Sequence, residues 1–216
     1  MIGFGQQTYV PDSNFEAYLE ANGMGNNIPN DSNVFTSAID TVTQLDAYNI
    51  SDLTGIEDFT ALSFLSCSSP SNQLTSLDVS TNTNLNNMTC QNNQLTSLDV
   101  SQNTALSYLT CQNNQLTSLD VSNHNVFLCC VNNPNLNCID VYDVFWSTAN
   151  FTVVNGSIDP QHYFSNNCSG TAIEEQTTNK ELLKVTDLLG RETKQTNQPL
   201  LYIYDDGTVE KRIVIK

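Results

Sequence analysis

Twelve residues, Cys90-Gln-Asn-Asn-Gln-Leu-Thr-Ser-Leu-Asp-Val-Ser101, recur unchanged from Cys111 to Ser122, and the last nine of them also stand at Asn72–Ser80. The period is 21 residues. A unit this short cannot enclose its own leucines, so the copies must stack and pool their apolar positions into one continuous core. The segment Ser68–Ser71 stretches the spacing from Cys67 to Cys90 to 23, and the last copy is shortened around His124 and Asn125. Cys130, Leu136, Ile139, Asp140 and Val141 still keep the pattern there. Upstream, Val42, Leu45, Ile50, Leu53, Ile56, Phe59, Leu62 and Leu65 keep the leucine spacing while the wording drifts, so five rungs are expected from about residue 42 to 141.

Within a rung the pattern is Leu-x-x-Leu-x-Cys-x-x-Asn-x-Leu-x-x-Leu-x-Val-x-x-Asn, as at Leu85, Met88, Cys90, Asn93, Leu95, Leu98, Val100 and Asn103. Leu-x-Cys and Leu-x-Val both have the period of two of a short strand whose middle residue faces outward. Over about 100 residues this resembles the leucine-rich repeat in its short bacterial form. The resemblance implies a mainly β solenoid, with the side chains of Asn93, Asn114 and Asn133 turned inward to bond the backbone of neighbouring turns.

A solenoid needs covered ends. Asp12 to Gly23 reads as a helix with an Asp or Ser cap and a Gly stop, placed to close the first rung. Met1–Gln6 has no basic start and only a short apolar run, and reads as the remnant of a signal peptide. At the other end, Cys138 and Cys168 stand outside the cysteine column and bracket one segment, which reads as a single disulfide of an exported protein. That segment carries Val144, Phe145, Trp146, Phe151, Val153 and Ile158, enough apolar mass to close the last rung. The expected organisation is a signal remnant and helical cap over 1–41, repeats over 42–141, a cap over 142–170 and a separate module over 171–216.

Charge separates that last module from the rest. Seventeen of the 23 acids precede position 180 and no Lys or Arg does, so the first 179 residues carry −17; the remainder holds all seven bases and six acids. An acidic surface of this kind excludes nucleic acid and anionic membrane as partners of the solenoid, because both need a basic footprint. There is no apolar run of the length that spans a bilayer.

Candidate chemistry is sparse. Cys67, Cys90, Cys111 and Cys130 fall one per rung on an inward strand position, which suits buried small hydrophobes better than metal ligands. The neighbour Cys129 points to the opposite face, as an exposed thiol. Asp78, Asp99, Asp120 and Asp140 form an outward column of like charges. Neutralisation by Ser, Thr or backbone amides, simple solvation, and collection of a hard cation such as Ca²⁺ are all open for it. Thr75, Thr96 and Thr117 form a further column, a pattern ice-binding solenoids also use; without a second regular Thr column, repeat copying accounts for it. His124 and His162 are the only histidines and match no nucleophile, zinc or phosphate motif. Surface or capping roles are expected of both, with no catalytic residue, metal or cofactor.

Residues 180–216 follow other rules. Glu181–Asp187 reads as a strand, and Leu200–Tyr204 with Val209–Ile215 as a hairpin about Asp205-Asp206-Gly207. Asp187-Leu188-Leu189-Gly190-Arg191, a Tyr-x-Tyr strand, a Gly turn and a basic-apolar end resemble the type A C-terminal sorting domain of the type IX secretion system, over about 45 residues. By that resemblance Asp187, Gly190, Arg191, Gly207, Lys211, Arg212, Ile213, Val214, Ile215 and Lys216 carry the sorting signal. Its partners would be the outer-membrane translocon and its shuttle barrel. The family's usual opening Pro-Asn-Pro strand is absent, and Thr171-Ala172-Ile173-Glu174-Glu175 stands in its place. Together these features lead to the expectation of a secreted or surface-displayed interaction or adhesion protein, with a glycan or protein ligand on the Asn, Gln, Thr and Asp columns. The alternatives are a hydrolase using His162 and a purely structural surface component.

Overall fold

The computed structural model describes residues 5–68, 73–168, 182–186, 199–204 and 209–213. The chain divides into two units, Met1–Cys168 and Ser169–Lys216.

In the first unit, β1 (Gln7–Tyr9) pairs antiparallel with β2 (Asn33–Phe35) around helix α1 (Ser13–Ala21), and a single turn, α2 (Thr36–Ile39), follows. Asp12 caps α1 by accepting from the amides of Asn14 and Phe15 at 2.9 and 3.0 Å. Helix α1 turns Phe15 and Leu19 into the same core as Leu45, Ile50 and Phe59, and the Phe15 and Phe59 rings stack with centroids 6.3 Å apart.

The body is a parallel β-solenoid. Strands β3 (Gln44–Asp46), β4 (Phe64–Ser66), β5 (Asn87–Thr89) and β6 (Tyr108–Thr110) are parallel and in register. After β7 (Leu119–Asp120), strand β8 (Phe127–Cys129) extends the same sheet to five strands. Leu45, Leu65, Met88, Leu109 and Leu128 thus form one inward column, each fully buried, and the cysteines lie beside it. A second, three-stranded parallel sheet sets β9 (Cys138–Asp140) between β7 and β10 (Tyr163–Ser165).

Only part of the Leu-x-Val half forms strand. Among the described residues the copies at Leu119–Asp120 and Ile139–Asp140 pair with each other; the equivalent stretches around Leu77 and Leu98 run without a ladder. Asp78, Asp99 and Asp120 each accept from the amide two residues on, at Ser80, Ser101 and Ser122, at 2.8–2.9 Å. Asp120 makes this bond and still enters a ladder, so the bond is common to paired and unpaired copies.

Two asparagine columns hold the turns. Asn114 donates through Nδ2 to the carbonyls of Cys90 and Cys111 at 2.9 and 3.0 Å and accepts at Oδ1 from Leu95 N at 3.0 Å. Asn93 and Asn133 repeat the arrangement one rung to either side. On the opposite turn, Asn82 donates to the Ile56 and Phe59 carbonyls and Asn103 to those of Val79 and Asn82. His124, 21 residues after Asn103, takes the next place: its Nε2 lies 3.2 Å from the Asn103 carbonyl. The shortened rung therefore keeps its polar tie with an imidazole in place of an amide.

The cap after the last rung corrects one expectation. Helix α3 (Val144–Asn150) is capped by Asp143, which accepts from Trp146 N at 2.8 Å. Val144 and Ser147 share one helical face and turn toward the core, and Phe151, the extended residue that ends the helix, packs there too. Phe145, Trp146 and Val153 do not; they are 87%, 44% and 48% exposed. A seven-residue helix offers one narrow face to a flat end, so Phe151 and Ile158 supply the burial. Cys138 and Cys168 are joined by a disulfide, and Cys168 N also donates to Asp140 Oδ1 at 2.6 Å.

In the second unit, β11 (Leu182–Thr186), β12 (Pro199–Tyr204) and β13 (Val209–Ile213) form an antiparallel sheet, with Leu201 opposite Lys211 and Leu200 opposite Arg212. Of the expected sorting residues, Lys211, Arg212 and Ile213 fall on β13. Asp187, Gly190, Arg191, Gly207, Val214, Ile215 and Lys216 lie outside the described residues, as does Met1–Phe4 of the signal remnant.

The junction of α1 with the first rungs sets an acid limit. Asp12 also accepts from Ser51 N, Ser51 Oγ and Asp52 N at 2.7–3.1 Å. Burial pushes its carboxyl up, but the Ser51 hydroxyl and amide and the two helix amides outweigh that and hold it below the ordinary 3.8. Its stabilisation is complete above that ordinary value and is lost as pH falls through the lower folded one. Asp12→Ala is expected to cost about 2 kcal/mol at pH 7 and to flatten the acid limb of stability against pH, measured by urea unfolding from pH 7 to pH 2.

Candidate functional site

Each strand of the five-stranded sheet sends its middle residue inward and the two beside it outward. The flanking residues thus form two columns in register: Gln44, Phe64, Asn87, Tyr108 and Phe127, then Asp46, Ser66, Thr89, Thr110 and Cys129, of which Ser66 and Thr110 are buried. The rings of Tyr108 and Phe127 lie parallel, with centroids 5.0 Å apart and an interplanar angle of 8°, and Phe127 is half exposed. An aromatic pair in this arrangement is worth about 0.5–1.5 kcal/mol, yet here it leaves apolar surface in water.

This face is also where the repeat stops copying itself. From Cys90 to Ser101 and from Cys111 to Ser122 nothing differs, whereas the strand positions change from Asn86-Asn87-Met88 to Ser107-Tyr108-Leu109. Sequence reasoning missed the pair because it followed the identical columns. The signal was present in the outward positions that break the repeat.

The identical columns have structural explanations. The outward aspartates are held by their own turns: the Ser80 hydroxyl and amide keep Asp78 below its ordinary value, and the Ser101 amide and hydroxyl do the same for Asp99, against the repulsion of Asp78. Of the three openings left by the sequence, amide and hydroxyl neutralisation is the one the geometry supplies for these two. Among the described residues no group of three His, Cys, Asp or Glu side chains converges to hold a metal. Gln91 with Gln112, and Asn92 with Asn113 and Asn132, bond side chain to side chain up the solenoid. Thr117 Oγ1 reaches Thr96 O at 3.4 Å.

The thiols fall into two environments. Burial pushes Cys67 up to about 12, and Cys90, Cys111 and Cys130 well above the ordinary thiol range, so the column is neutral and packs as core. Cys129 is partly exposed, and its Sγ lies 3.4 Å from the Gly156 carbonyl.

His162 is buried rather than at the surface. Its Nδ1 accepts from Asp159 N at 3.2 Å with Cys130 Sγ 3.8 Å away, and its Nε2 lies 3.7 Å from Asp159 Oδ2. Burial lowers its pKa, against the opposing pull of the Asn133 backbone and the Asp159 charge, so the ring is neutral at pH 7. A cysteine, a histidine and an aspartate adjoin here, but the thiol is fully buried and protonated. A nucleophile needs a thiolate and access. Asp159 also accepts from the amide of Asn132 at 2.6 Å, which makes the group a clasp between the last rung and the cap.

No protein-family model and no curated protein matches the chain. Among solved structures it is similar to the functional domain of InlJ from Listeria monocytogenes, which includes a cysteine ladder. The identity is 31% and the TM-score 0.47, covering 65% of this chain and 39% of that one. It is also similar to an internalin, InlF, from Listeria monocytogenes, at 20% identity and TM-score 0.46, covering 63% of this chain and 46% of that one. The chain thus spans less than half the length of either.

Proposed function

We propose that this protein is a secreted or surface-displayed interaction module that binds a protein or glycan through the outer face of its five-stranded sheet. The observation that carries the reading is the Tyr108–Phe127 pair, with Phe127 half in solvent and Tyr108 partly covered, at positions where otherwise identical repeats diverge. Core packing does not require it, and an exposed aromatic cluster within a polar rim is the composition of binding hot spots. Residues 171–216 act in this proposal as a sorting domain that takes the solenoid across the outer membrane, on the strength of their sequence resemblance. Export also fits the Cys138–Cys168 disulfide, a bond of oxidising compartments.

Two experiments test the two halves. Immobilised full-length chain is presented to an array of extracellular glycoproteins and glycans beside the Tyr108→Ala/Phe127→Ala variant. A saturable ligand weakened at least about tenfold, or 1.4 kcal/mol, by the double substitution is expected; equal binding by both proteins would remove the sheet face from consideration. Fractionation of the native host with and without residues 171–216 tests export. Retention of the truncated form in the periplasm is expected, and equal export of both forms would return the tail to a structural role.

A further inference from the structure

Where the last rung meets its cap, the turn Val121–Val126, the segment Val141–Asp143 and helix α3 enclose a cleft of about 630 Å³. This is within the range of small-ligand sites, about 300–1,000 Å³. Val121, Val126, Val141 and Phe151 line it with apolar surface and are themselves at least nine-tenths buried. Tyr142 and Trp146 also line it and remain open to solvent, at 85% and 44% exposure. Asn123, Asn125 and Asp143 add polar groups.

We propose that this cleft is a binding site for a short neutral oligosaccharide, a site separate from the sheet face. Three features select that chemistry. First, the indole is pre-set: Trp146 meets Phe151 edge-on, with centroids 5.4 Å apart at 83°, and its backbone amide is fixed by Asp143, so little ordering remains when a ligand arrives. A planar aromatic surface of fixed orientation suits the apolar C–H face of a sugar ring. Second, the two asparagine amides each offer a donor and an acceptor, the pattern that vicinal hydroxyls need. Third, no Lys or Arg occurs before position 180, so the first unit offers no permanent cation to a sulfate, phosphate or uronate, and the His124 imidazole is the one nitrogen base lining the cleft. A cationic ligand is served no better. Asp143 is the one carboxylate lining the cleft, and one of its oxygens already accepts from Trp146 N.

Trp146 is the only tryptophan in the chain, so its emission reports on this cleft alone. The full-length protein is titrated with cellobiose, maltose, lactose and N,N′-diacetylchitobiose, and with a heparin disaccharide and a hexalysine peptide as charged controls. A saturable emission change is expected with at least one neutral disaccharide and none with either control. By calorimetry, Trp146→Ala should weaken that disaccharide at least about tenfold, and Asn123→Ala, an exposed position, should weaken it with the fold intact by circular dichroism. The Tyr108→Ala/Phe127→Ala variant should bind it unchanged, which keeps failure here distinct from failure of the sheet face. The proposal is overturned if no neutral disaccharide saturates, if Trp146→Ala binds as the parent does, or if only hexalysine changes the emission.

Discussion

Asn114→Asp is expected to be the most damaging single substitution in the solenoid, and to be worse than Asn114→Ala. The wild-type amide gives Nδ2 to the carbonyls of Cys90 and Cys111 and takes the Leu95 amide at Oδ1, all within the core. Alanine deletes the bonds and leaves buried backbone groups unpaired, at a cost of about 3 kcal/mol. In a unit of this size that lowers the melting temperature by about 6–12 °C. Aspartate keeps the acceptor but turns an oxygen toward carbonyl oxygens, adding an uncompensated charge. The two variants separate by pH. A buried carboxyl has a raised folded pKa, so the extra deficit of Asn114→Asp should shrink toward that of Asn114→Ala as pH falls through that value. Thermal melts between pH 7 and pH 4 would show this; an Asp variant as stable as the parent would mean the asparagine column is not what holds the turns.

The second large effect belongs to the disulfide. Cys138 and Cys168 are 30 residues apart in sequence. A loop of that length constrains the unfolded chain by about 3–4 kcal/mol. Cys138→Ser/Cys168→Ser should therefore lose about that much, but unevenly. Each rung of a solenoid touches only its neighbours, so the loss concentrates at the end that was tied. Hydrogen exchange should accelerate over residues 142–168 while the amides of Leu65, Met88 and Leu109 stay protected. Uniform acceleration across the rungs would show instead that the unit unfolds as one cooperative block.

The repeat was legible because its physics is periodic. Identical spacing forces identical burial, so the leucine and cysteine columns could be read from position alone, while the inward asparagines followed from the resemblance to the leucine-rich repeat. The terminal pair Cys138 and Cys168 was legible by standing outside the period. What escaped were features set by a single place. His124 looked like an interruption, yet it occupies the position 21 residues after Asn103 and makes the same tie. His162 was expected at the surface or in the cap, and nothing in its local sequence shows that Cys130, 32 residues earlier, will pack against it there. The Leu-x-Val half read as strand on its period of two, yet among the described residues only the copies at Leu119 and Ile139 pair, next to β10 at the capped end. For helix α3, apolar content suggested burial, whereas a single helical turn or two shows the core only one residue in three or four.

The side-chain ladders join residues 21 apart, Gln91 to Gln112 and Asn92 to Asn113, and the flanking stretches are identical. Excising residues 91–111 would join Cys90 directly to Gln112 and restore the same twelve-residue wording at the seam. Such a chain is one storey shorter, with its remaining ties re-formed between new neighbours. Unequal exchange between the two identical stretches can therefore lengthen or shorten the protein in whole storeys. The same event removes Tyr108 and brings Asn87 beside Phe127, so a change in length is also a one-step rewriting of the surface offered to a partner.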